Sequence, residues 1–197
     1  MSPLVLDVAG LRERLARPAP AEAVYGDDGT GRREAGTTPA AVLVPIIAHP
    51  ELTVLFTKRT AQLRAHSGQV SFPGGRTEPG DASVEATALR EVQEEIGLPP
   101  SRVEVLACLP EYFTRTGFRV TPVVGVIQPP LELVPNAGEV DEVFEVPLDF
   151  ILDPANHQRG SRELGGRTAH FYFFEYNGRT IWGATAGMLV NLYRILA

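Results

Sequence analysis

Apolar runs separated by turn-forming residues divide the chain into predicted strands. Residues 41–47 and 52–57 are mostly apolar, and the His-Pro pair at 49–50 predicts a break between them, which is typical of a β-hairpin. Further extended segments are predicted at 69–72, 102–109, 119–127, 140–146, 168–176 and 179–182. Mixed strands with one central and one terminal helix favour an α/β or α+β sandwich, in which helices pack over a mixed sheet.

Helical spacing of apolar residues appears near both ends of the chain and at its centre. Leu11 and Leu15 are one turn apart and predict the buried face of a short amphipathic helix. Asp81 is the predicted N-cap of the central helix, and Gly97 is placed to end it. The predicted helices cover about 4–17, 81–96, 148–152 and 184–196.

Composition divides the chain of 197 residues into an N-terminal extension and one domain. Residues 18–38 are rich in Pro, Gly, Ala and charged residues, which is typical of a mobile loop. We therefore expect a partly mobile extension at 1–38 and a domain at 39–197. A flexible insertion is also predicted at 154–167.

Charge and hydropathy argue against several classes of protein. The net charge of −6 disfavours nucleic-acid binding, which depends on basic residues that neutralise phosphates. The sequence has no apolar stretch long enough for a membrane span and no signal-peptide pattern, so we expect a cytoplasmic location. Cys108, the single cysteine, lies in an apolar segment and is expected to be a packed core thiol.

Three glutamates on the predicted central helix are candidates for a metal site. Glu91, Glu94 and Glu95 are three or four residues apart or adjacent, so they share one side of a helix. Carboxylates about 6 Å apart repel by roughly 3 kcal/mol per pair at an effective dielectric of 20. A hard divalent cation such as Mg²⁺ or Mn²⁺ would reverse that repulsion. A solvated acidic helix face is the alternative interpretation.

The same helix resembles the signature of the Nudix hydrolases. That signature reads Gly, five residues, Glu, seven residues, Arg-Glu, an aliphatic residue, one residue, Glu-Glu, one residue, Gly and an aliphatic residue. Residues 90–98 match its second half at every fixed position. In the first half, counted from Gly75, Asp81 takes the Glu position, and eight residues rather than seven separate it from Arg90.

An upstream segment resembles a second signature, that of the coenzyme A pyrophosphatase branch of the family. It reads Leu-Leu-Thr-x-Arg-Ser, three residues, Arg, three residues, Gly, three residues, Phe-Pro-Gly-Gly. This chain carries Leu-Phe-Thr-Lys-Arg-Thr at 55–60, then Arg64, Gly68 and Phe-Pro-Gly-Gly at 72–75, with the same spacings. Together the two motifs cover residues 55–98.

The resemblance implies both a fold and an activity. The fold would be the Nudix fold, an α/β/α sandwich with a mixed central β-sheet. The activity would be cleavage of the diphosphate of coenzyme A, or of its acyl or oxidised forms, to 3′,5′-ADP and 4′-phosphopantetheine, with Mg²⁺ or Mn²⁺ as cofactor. The partner is then a small molecule, bound by a monomer or a homodimer.

The resemblance also suggests roles for individual residues. The metal ligands would be Glu91, Glu94 and Glu95. The catalytic residues would be Glu94, Glu139 and Arg90, where Arg90 pairs with a motif glutamate and the general base is either a helix glutamate or Glu139. An exposed loop charge is the alternative for Glu139. The substrate-binding residues would be Arg59, Arg64, His66, Gly74 and Gly75, although a lone polar histidine such as His66 is also typical of a solvent-facing loop.

Two other functions compete with the hydrolysis of coenzyme A. One is the same chemistry on another nucleoside diphosphate derivative, such as ADP-ribose or a dinucleotide, and the upstream motif argues against it. The other is a nucleotide-binding module that keeps the fold without catalysis. Loss of motif glutamates would favour that module, but all three glutamates are present.

Overall fold

The computed structural model describes residues 5–18, 36–61, 68–164 and 167–197. Apart from the helices and strands given next, short 3₁₀ turns occur at Pro100–Arg102 and Pro154–Asn156. The helices and strands, in chain order, are α1 (Val8–Leu15), β1 (Thr38–Ile47), β2 (Thr53–Arg59), β3 (Val70–Ser71), β4 (Gly74–Arg76), α2 (Val84–Ile96), β5 (Val103–Cys108), β6 (Tyr112–Phe113), β7 (Phe118–Ile127), β8 (Val140–Pro147), α3 (Leu148–Leu152), β9 (Gln158–Leu164), β10 (Arg167–Tyr176), β11 (Arg179–Trp182) and α4 (Ala184–Leu196).

A mixed sheet forms the centre of the molecule. Its main strand order is β3-β2-β1-β7-β5, and β4, β6 and β8 pair with β1, β7 and β2 respectively. β1 and β7 run parallel from the Thr38–Phe118 pair to the Ile47–Ile127 pair, whereas the other pairs in this sheet are antiparallel. A smaller antiparallel sheet has the order β11-β10-β9.

Helices cover both faces of the central sheet. On one face, α2 contributes Val92 and Ile96 to a core that includes Leu43 of β1. On the other face, α1 and α4 share a second core with Val44 of β1 and Phe174 of β10. Because β1 is buried on both sides, it is apolar throughout rather than alternating. The expected α/β/α sandwich with a mixed sheet is confirmed.

The N-terminal helix is part of this core. Leu11 is fully buried and Leu15 nearly so, as their spacing predicted, although both precede the expected domain start at residue 39. Arg12 also forms a two-pronged ion pair with Glu104 of β5, with Nη2–Oε1 and Nη2–Oε2 distances of 2.8 and 2.6 Å. No helix in the described segments is long and apolar enough to cross a membrane.

Three local expectations were wrong. Ser83, not Asp81, caps α2, since its Oγ accepts a hydrogen bond from the N–H of Ala86 at 3.2 Å. Cys108 is exposed, because β5 is an edge strand of the central sheet. Residues 158–164, expected to lie in a flexible insertion, form a strand paired with β10. Leu4 and the expected mobile loop from 19 to 35 lie outside the described residues.

Candidate active site

A glycine pair brings the chain of β4 close to both β1 and α2. Gly74 pairs with Val42 and Gly75 with Ala41, and the N–H of Leu43 donates to the carbonyl of Pro73 at 2.9 Å. A Cβ on Gly74 would lie 2.4 Å from the carbonyl oxygen of Ala41. A Cβ on Gly75 would lie 2.4 Å from a carboxylate oxygen of Glu91. Only residues without side chains allow these approaches.

Arg90 is the centre of a saturated polar cluster at the middle of α2. Its Nε lies 3.0 Å from Oδ1 of Asp81, and its Nη2 lies 3.1 Å from Oδ2 of the same residue. Its Nη1 donates to Glu91 at 3.0 Å and to Glu94 at 3.1 Å, and Nη2 also donates to the carbonyl of Arg76 at 2.9 Å. The two-pronged contact with Asp81 fixes the orientation of Arg90. The hydrogen bond from Nη1 then restrains the Glu91 carboxylate.

Asp81 is the residue at which the motif departs from the family signature. Besides Arg90, it accepts hydrogen bonds from the Thr87 hydroxyl and the Glu78 N–H, both at 2.9 Å. Its hydrogen bonds, that from Arg90 foremost, hold the pKa of Asp81 well below its usual range. The acid is therefore ionised at neutral pH, and its shorter side chain still reaches Arg90 across the longer spacing.

Glu95 lies at the buried end of the acidic cluster. Its side chain is only 5% exposed, and among the described residues its ion-pair partner is Arg59 of β2, with Nη1 3.7 Å from Oε1. Burial raises the pKa of Glu95 to about 8, and the negative charges of Glu139 and Glu91 add to this effect. Arg59 and the N–H of Gly74 oppose the shift without cancelling it. Burial is also the main cause that raises the pKa of Glu91.

A loop after β7 brings Glu139 to the same place. The N–H of Asn136 donates to the carbonyl of Glu95 at 2.8 Å, which ties this loop to the end of α2. The carbonyl of Glu139 accepts the N–H of Thr60 at 2.9 Å, which ties it to the end of β2. The charge of Glu139 consequently contributes to the raised pKa of both Glu91 and Glu95.

The carboxylates of Glu91 and Glu95 are oxygen ligands of the kind that a hard divalent cation prefers, although the described residues do not form a group of three such ligands. Among the described residues, no three His, Cys, Asp or Glu side chains are arranged to hold a metal ion. Glu91 and Glu95 lie together with raised pKa values, and a bound cation would relieve that crowding of negative charge. Glu94 lies on the exposed side of this group: its side chain is 57% exposed, and it accepts a hydrogen bond from the same Arg90 Nη1 as Glu91 does. Its role as a ligand stays a prediction.

Two of the predicted substrate-binding residues, Arg64 and His66, lie outside the described residues. The other three, Arg59, Gly74 and Gly75, lie beside the helix glutamates. Sequence reasoning missed Asp81 as the partner of Arg90. The available signal was the motif itself, because an acid kept near the expected Glu position despite a changed spacing suggests a retained contact.

The NUDIX domain family matches residues 37–164, about two thirds of the chain, and includes β4, α2 and the Glu139 loop. The chain belongs to this family. Its mixed sheet with helices on both faces is the Nudix fold, and the signature residues lie where β4 meets α2.

Curated relatives carry the same assignment. The chain is 45% identical over 153 residues to "Uncharacterized Nudix hydrolase NudL" of Pectobacterium atrosepticum, covering 78% of this chain and 80% of the relative. It is 41% identical over 191 residues to the protein of that name from Cronobacter sakazakii, covering 97% and 94% of the two chains.

Solved structures support the fold. A Nudix hydrolase from M. smegmatis, RenU, is 28% identical, with a TM-score of 0.50 over 61% of this chain and 76% of its own. A MutT/nudix family protein from Enterococcus faecalis has a TM-score of 0.51 over 82% of this chain and 62% of its own, at 14% identity. The latter likeness concerns the fold alone.

Proposed function

We propose that this Nudix hydrolase cleaves the diphosphate of coenzyme A, or of acyl or oxidised coenzyme A, to 3′,5′-ADP and 4′-phosphopantetheine. The observation that carries the proposal is the contact between two motifs that are distant in sequence. Arg59, from the upstream signature of the coenzyme A branch, lies 3.7 Å from Glu95 of the Nudix helix. A residue of the upstream motif and a residue of the acidic motif are therefore neighbours in the fold, which supports a common site for both motifs.

Glu91 and Glu95 would hold Mg²⁺ or Mn²⁺, with Glu94 or Glu139 as a further ligand. A divalent ion held there would neutralise diphosphate oxygens and lower the pKa of an attacking water. Arg90 keeps the Glu91 carboxylate aimed toward β4 by a 3.0 Å hydrogen bond. Glu139, whose charge raises the pKa of both carboxylates, and Glu94 are the candidates for the general base that accepts the water proton.

Arg59 has spare capacity to bind a phosphate. Its Nε is buried and has no hydrogen-bond partner among the described residues. Its pairing with Glu95, at 3.7 Å, is longer than a hydrogen bond. A buried donor without a partner costs about 1–3 kcal/mol, and a phosphate oxygen of the substrate would remove that cost. The guanidinium fork also matches phosphate geometry.

Product analysis tests the proposal directly. Purified protein is incubated with coenzyme A, ADP-ribose or NADH in Mg²⁺, Mn²⁺ or EDTA, and the products are separated by chromatography. We expect metal-dependent formation of 3′,5′-ADP and phosphopantetheine, with coenzyme A as the best substrate. Glu51→Gln, in the exposed β1–β2 turn, is the matched control for glutamine variants of Glu91 and Glu95.

Other outcomes separate the parts of the proposal. Preferential cleavage of ADP-ribose or NADH would reject coenzyme A while keeping the metal helix. Binding of these nucleotides without turnover, in both metals, would reject catalysis and favour a nucleotide-binding module. Arg59→Met should raise the KM for coenzyme A more than it lowers kcat if Arg59 binds substrate phosphate.

A further inference from the structure

The smaller sheet ends in a strand whose outer edge is open. β9 is the last strand in the order β11-β10-β9, and within the described segments no strand pairs with its other side. An uncovered strand edge presents unpaired N–H and C=O groups to another chain.

Every second residue of β9 directs its backbone groups to this open edge. Leu164 pairs with Arg167 across two intervening residues, and the closing pair of such a hairpin is hydrogen-bonded. The alternation of antiparallel pairs then assigns the outward N–H and C=O groups to Arg159, Ser161 and Glu163.

A contact on the far side of β10 supports this assignment. Tyr172 is the residue opposite Arg159. Its carbonyl accepts the N–H of Gly183 at 3.2 Å, on the side of β10 that faces β11. The backbone of Tyr172 is therefore directed away from Arg159, which leaves the backbone groups of Arg159 facing outward.

We propose that β9 pairs antiparallel with β9 of a second copy of this chain, about a two-fold axis at Ser161. In this register Ser161 faces its own copy, and Arg159 faces Glu163 of the second copy, twice. Each of the three pairs is of the hydrogen-bonded type and exchanges two backbone bonds, so six form in total. A register moved by two residues leaves one of the three outward residues without a counterpart.

Charge complementarity selects the same register. The side chains of Arg159, Ser161 and Glu163 are exposed, so pairing removes no core contact. Oppositely charged residues directly across an antiparallel pair stabilise it, whereas like charges destabilise it. The β9 sequence thus has opposite charges at the two positions that the symmetry axis exchanges.

The side chains on the opposite face of the paired strands are also compatible with this register. Gly160 would lie beside Arg162 of the second copy, and the Phe171 ring lies over Gly160, 2.7 Å from where a Cβ would be. The second copy's Arg162 would therefore reach the Phe171 ring. Within its own chain, the Arg162 guanidinium already lies 5.4 Å from the centroid of Trp182, so this face presents aromatic rings to cations.

The expected dimer is dependent on concentration. Edge pairing over seven residues buries less surface than the roughly 1,200–2,000 Å² of stable complexes. Sedimentation velocity of the full-length protein, from about 1 μM to 1 mM, covers the matching range of dissociation constants. No metal or substrate is needed, so the result does not depend on the proposed function.

Charge reversal provides the decisive variants. Glu163→Arg and Arg159→Glu each place like charges opposite one another and should weaken the dimer at least tenfold. The double variant R159E/E163R restores complementary pairs and should recover dimerisation. Ser161→Pro removes an outward N–H that β10 does not use, and it should abolish the dimer while the chain stays folded. Glu51→Arg, an exposed change of equal charge elsewhere, should have no effect.

Two results would overturn the proposal. A protein that remains monomeric to 1 mM does not use the β9 edge for self-association. A dimer that persists unchanged in Glu163→Arg and Ser161→Pro forms through another surface. Circular dichroism and melting temperature of each variant separate loss of pairing from loss of folding.

Discussion

Two charged clusters that include residues of α2 differ in how completely their charges are balanced. In the Arg90–Asp81 cluster, which is one part of the larger set of polar groups around Arg90, both carboxylate oxygens of Asp81 lie 3.0–3.1 Å from Arg90 nitrogens. In the Glu95 cluster, formed by Glu95, Arg59 and Glu139, the Arg59 guanidinium lies 3.7 Å from the buried Glu95 carboxylate and is its ion-pair partner among the described residues. The first cluster lowers the pKa of its acid, and the second raises the pKa of Glu95 to about 8.

This difference separates a supporting ion pair from the carboxylates at which we propose that a cation binds. A saturated cluster gains nothing from a further cation, whereas a buried carboxylate beside other negative charges does. A Nudix helix therefore combines one end that is stabilised internally with another whose charge we expect a bound cation to balance. Variants at each end should have distinguishable effects on activity and on stability.

The largest expected effect is on turnover after a change at Glu95 or Glu91. Substitution of a residue that only orients a metal ligand typically costs roughly 10–100-fold in activity. Glu95→Gln and Glu91→Gln should each lower kcat/KM by more than this, because they remove proposed ligands themselves. Without metal, the melting temperature of Glu95→Gln should stay close to wild type at neutral pH, because Glu95 with a pKa of about 8 is mostly protonated there, and should exceed wild type at alkaline pH, where the variant lacks the buried charge. Steady-state kinetics and thermal melts, with Glu51→Gln as control, measure both; near-normal turnover in either variant would contradict these roles.

A change at Asp81 should lower activity and stability together. Asp81→Asn removes the carboxylate that orients Arg90, so the Glu91 carboxylate loses its support. We expect a fall in kcat/KM of roughly 10–100-fold and a melting temperature lower by several degrees. Asp141→Asn, at an exposed ion pair with Lys58, is the control and should be close to wild type in both measurements. An unchanged melting temperature in Asp81→Asn would remove the contrast between the two clusters.

Alanine substitutions at Gly74 and Gly75 should have different effects, the first on the stability of the fold and the second on the geometry of the site. Gly74→Ala places a Cβ 2.4 Å from the backbone oxygen of Ala41, so the strands must move and the melting temperature should fall markedly. Gly75→Ala instead meets the Glu91 carboxylate, a side-chain terminus that can shift. It should reduce turnover more than stability, as measured by kinetics and thermal melts on both variants. The reverse ranking would mean that the Gly75 approach does not position Glu91.

The smallest expected effect is on the pH dependence of stability. The pKa of Glu95 is about 8 in the folded chain and roughly 4.3 in an unfolded one. Between these values the folded state binds more protons, so metal-free stability should decrease as pH rises. Melting temperatures across that range should fall in the wild type and fall less in Glu95→Gln. Mg²⁺ or Mn²⁺ should stabilise most at high pH, where the carboxylates are ionised.

Asp81 contributes in the opposite direction. Its pKa is depressed in the folded chain, so its stabilising effect is present above the usual Asp pKa and is lost as pH falls through the acid range. A wild-type melting temperature that decreases as pH rises from roughly 4.3 to about 8, and that also decreases toward strong acid, would agree with both assignments. A profile that rises steadily to alkaline pH would contradict the assignment for Glu95.

Much of the fold follows from local patterns, and the exceptions have identifiable causes. The β1–β2 hairpin, α2, the short α3 and α4 were predicted because periodicity and turn residues are local signals. β9 was missed because Gln-Arg-Gly-Ser-Arg-Glu has no apolar alternation, and its extended form depends on pairing with β10. Cys108 was assigned to the core because an apolar segment does not reveal whether its strand is central or at an edge.

The same division applies to the site. By itself, the sequence determined that Glu91, Glu94 and Glu95 lie near one another on a helix that ends at Gly97, because helical spacing is local. Only the tertiary structure decided that Glu95 is buried while Glu94 is exposed beside Arg90. That distinction arises because β2 and the loop at 134–139, both remote in sequence, cover one end of α2 and exclude water from it. Burial and unequal pairing then set the charge of each carboxylate, which helical spacing alone does not determine.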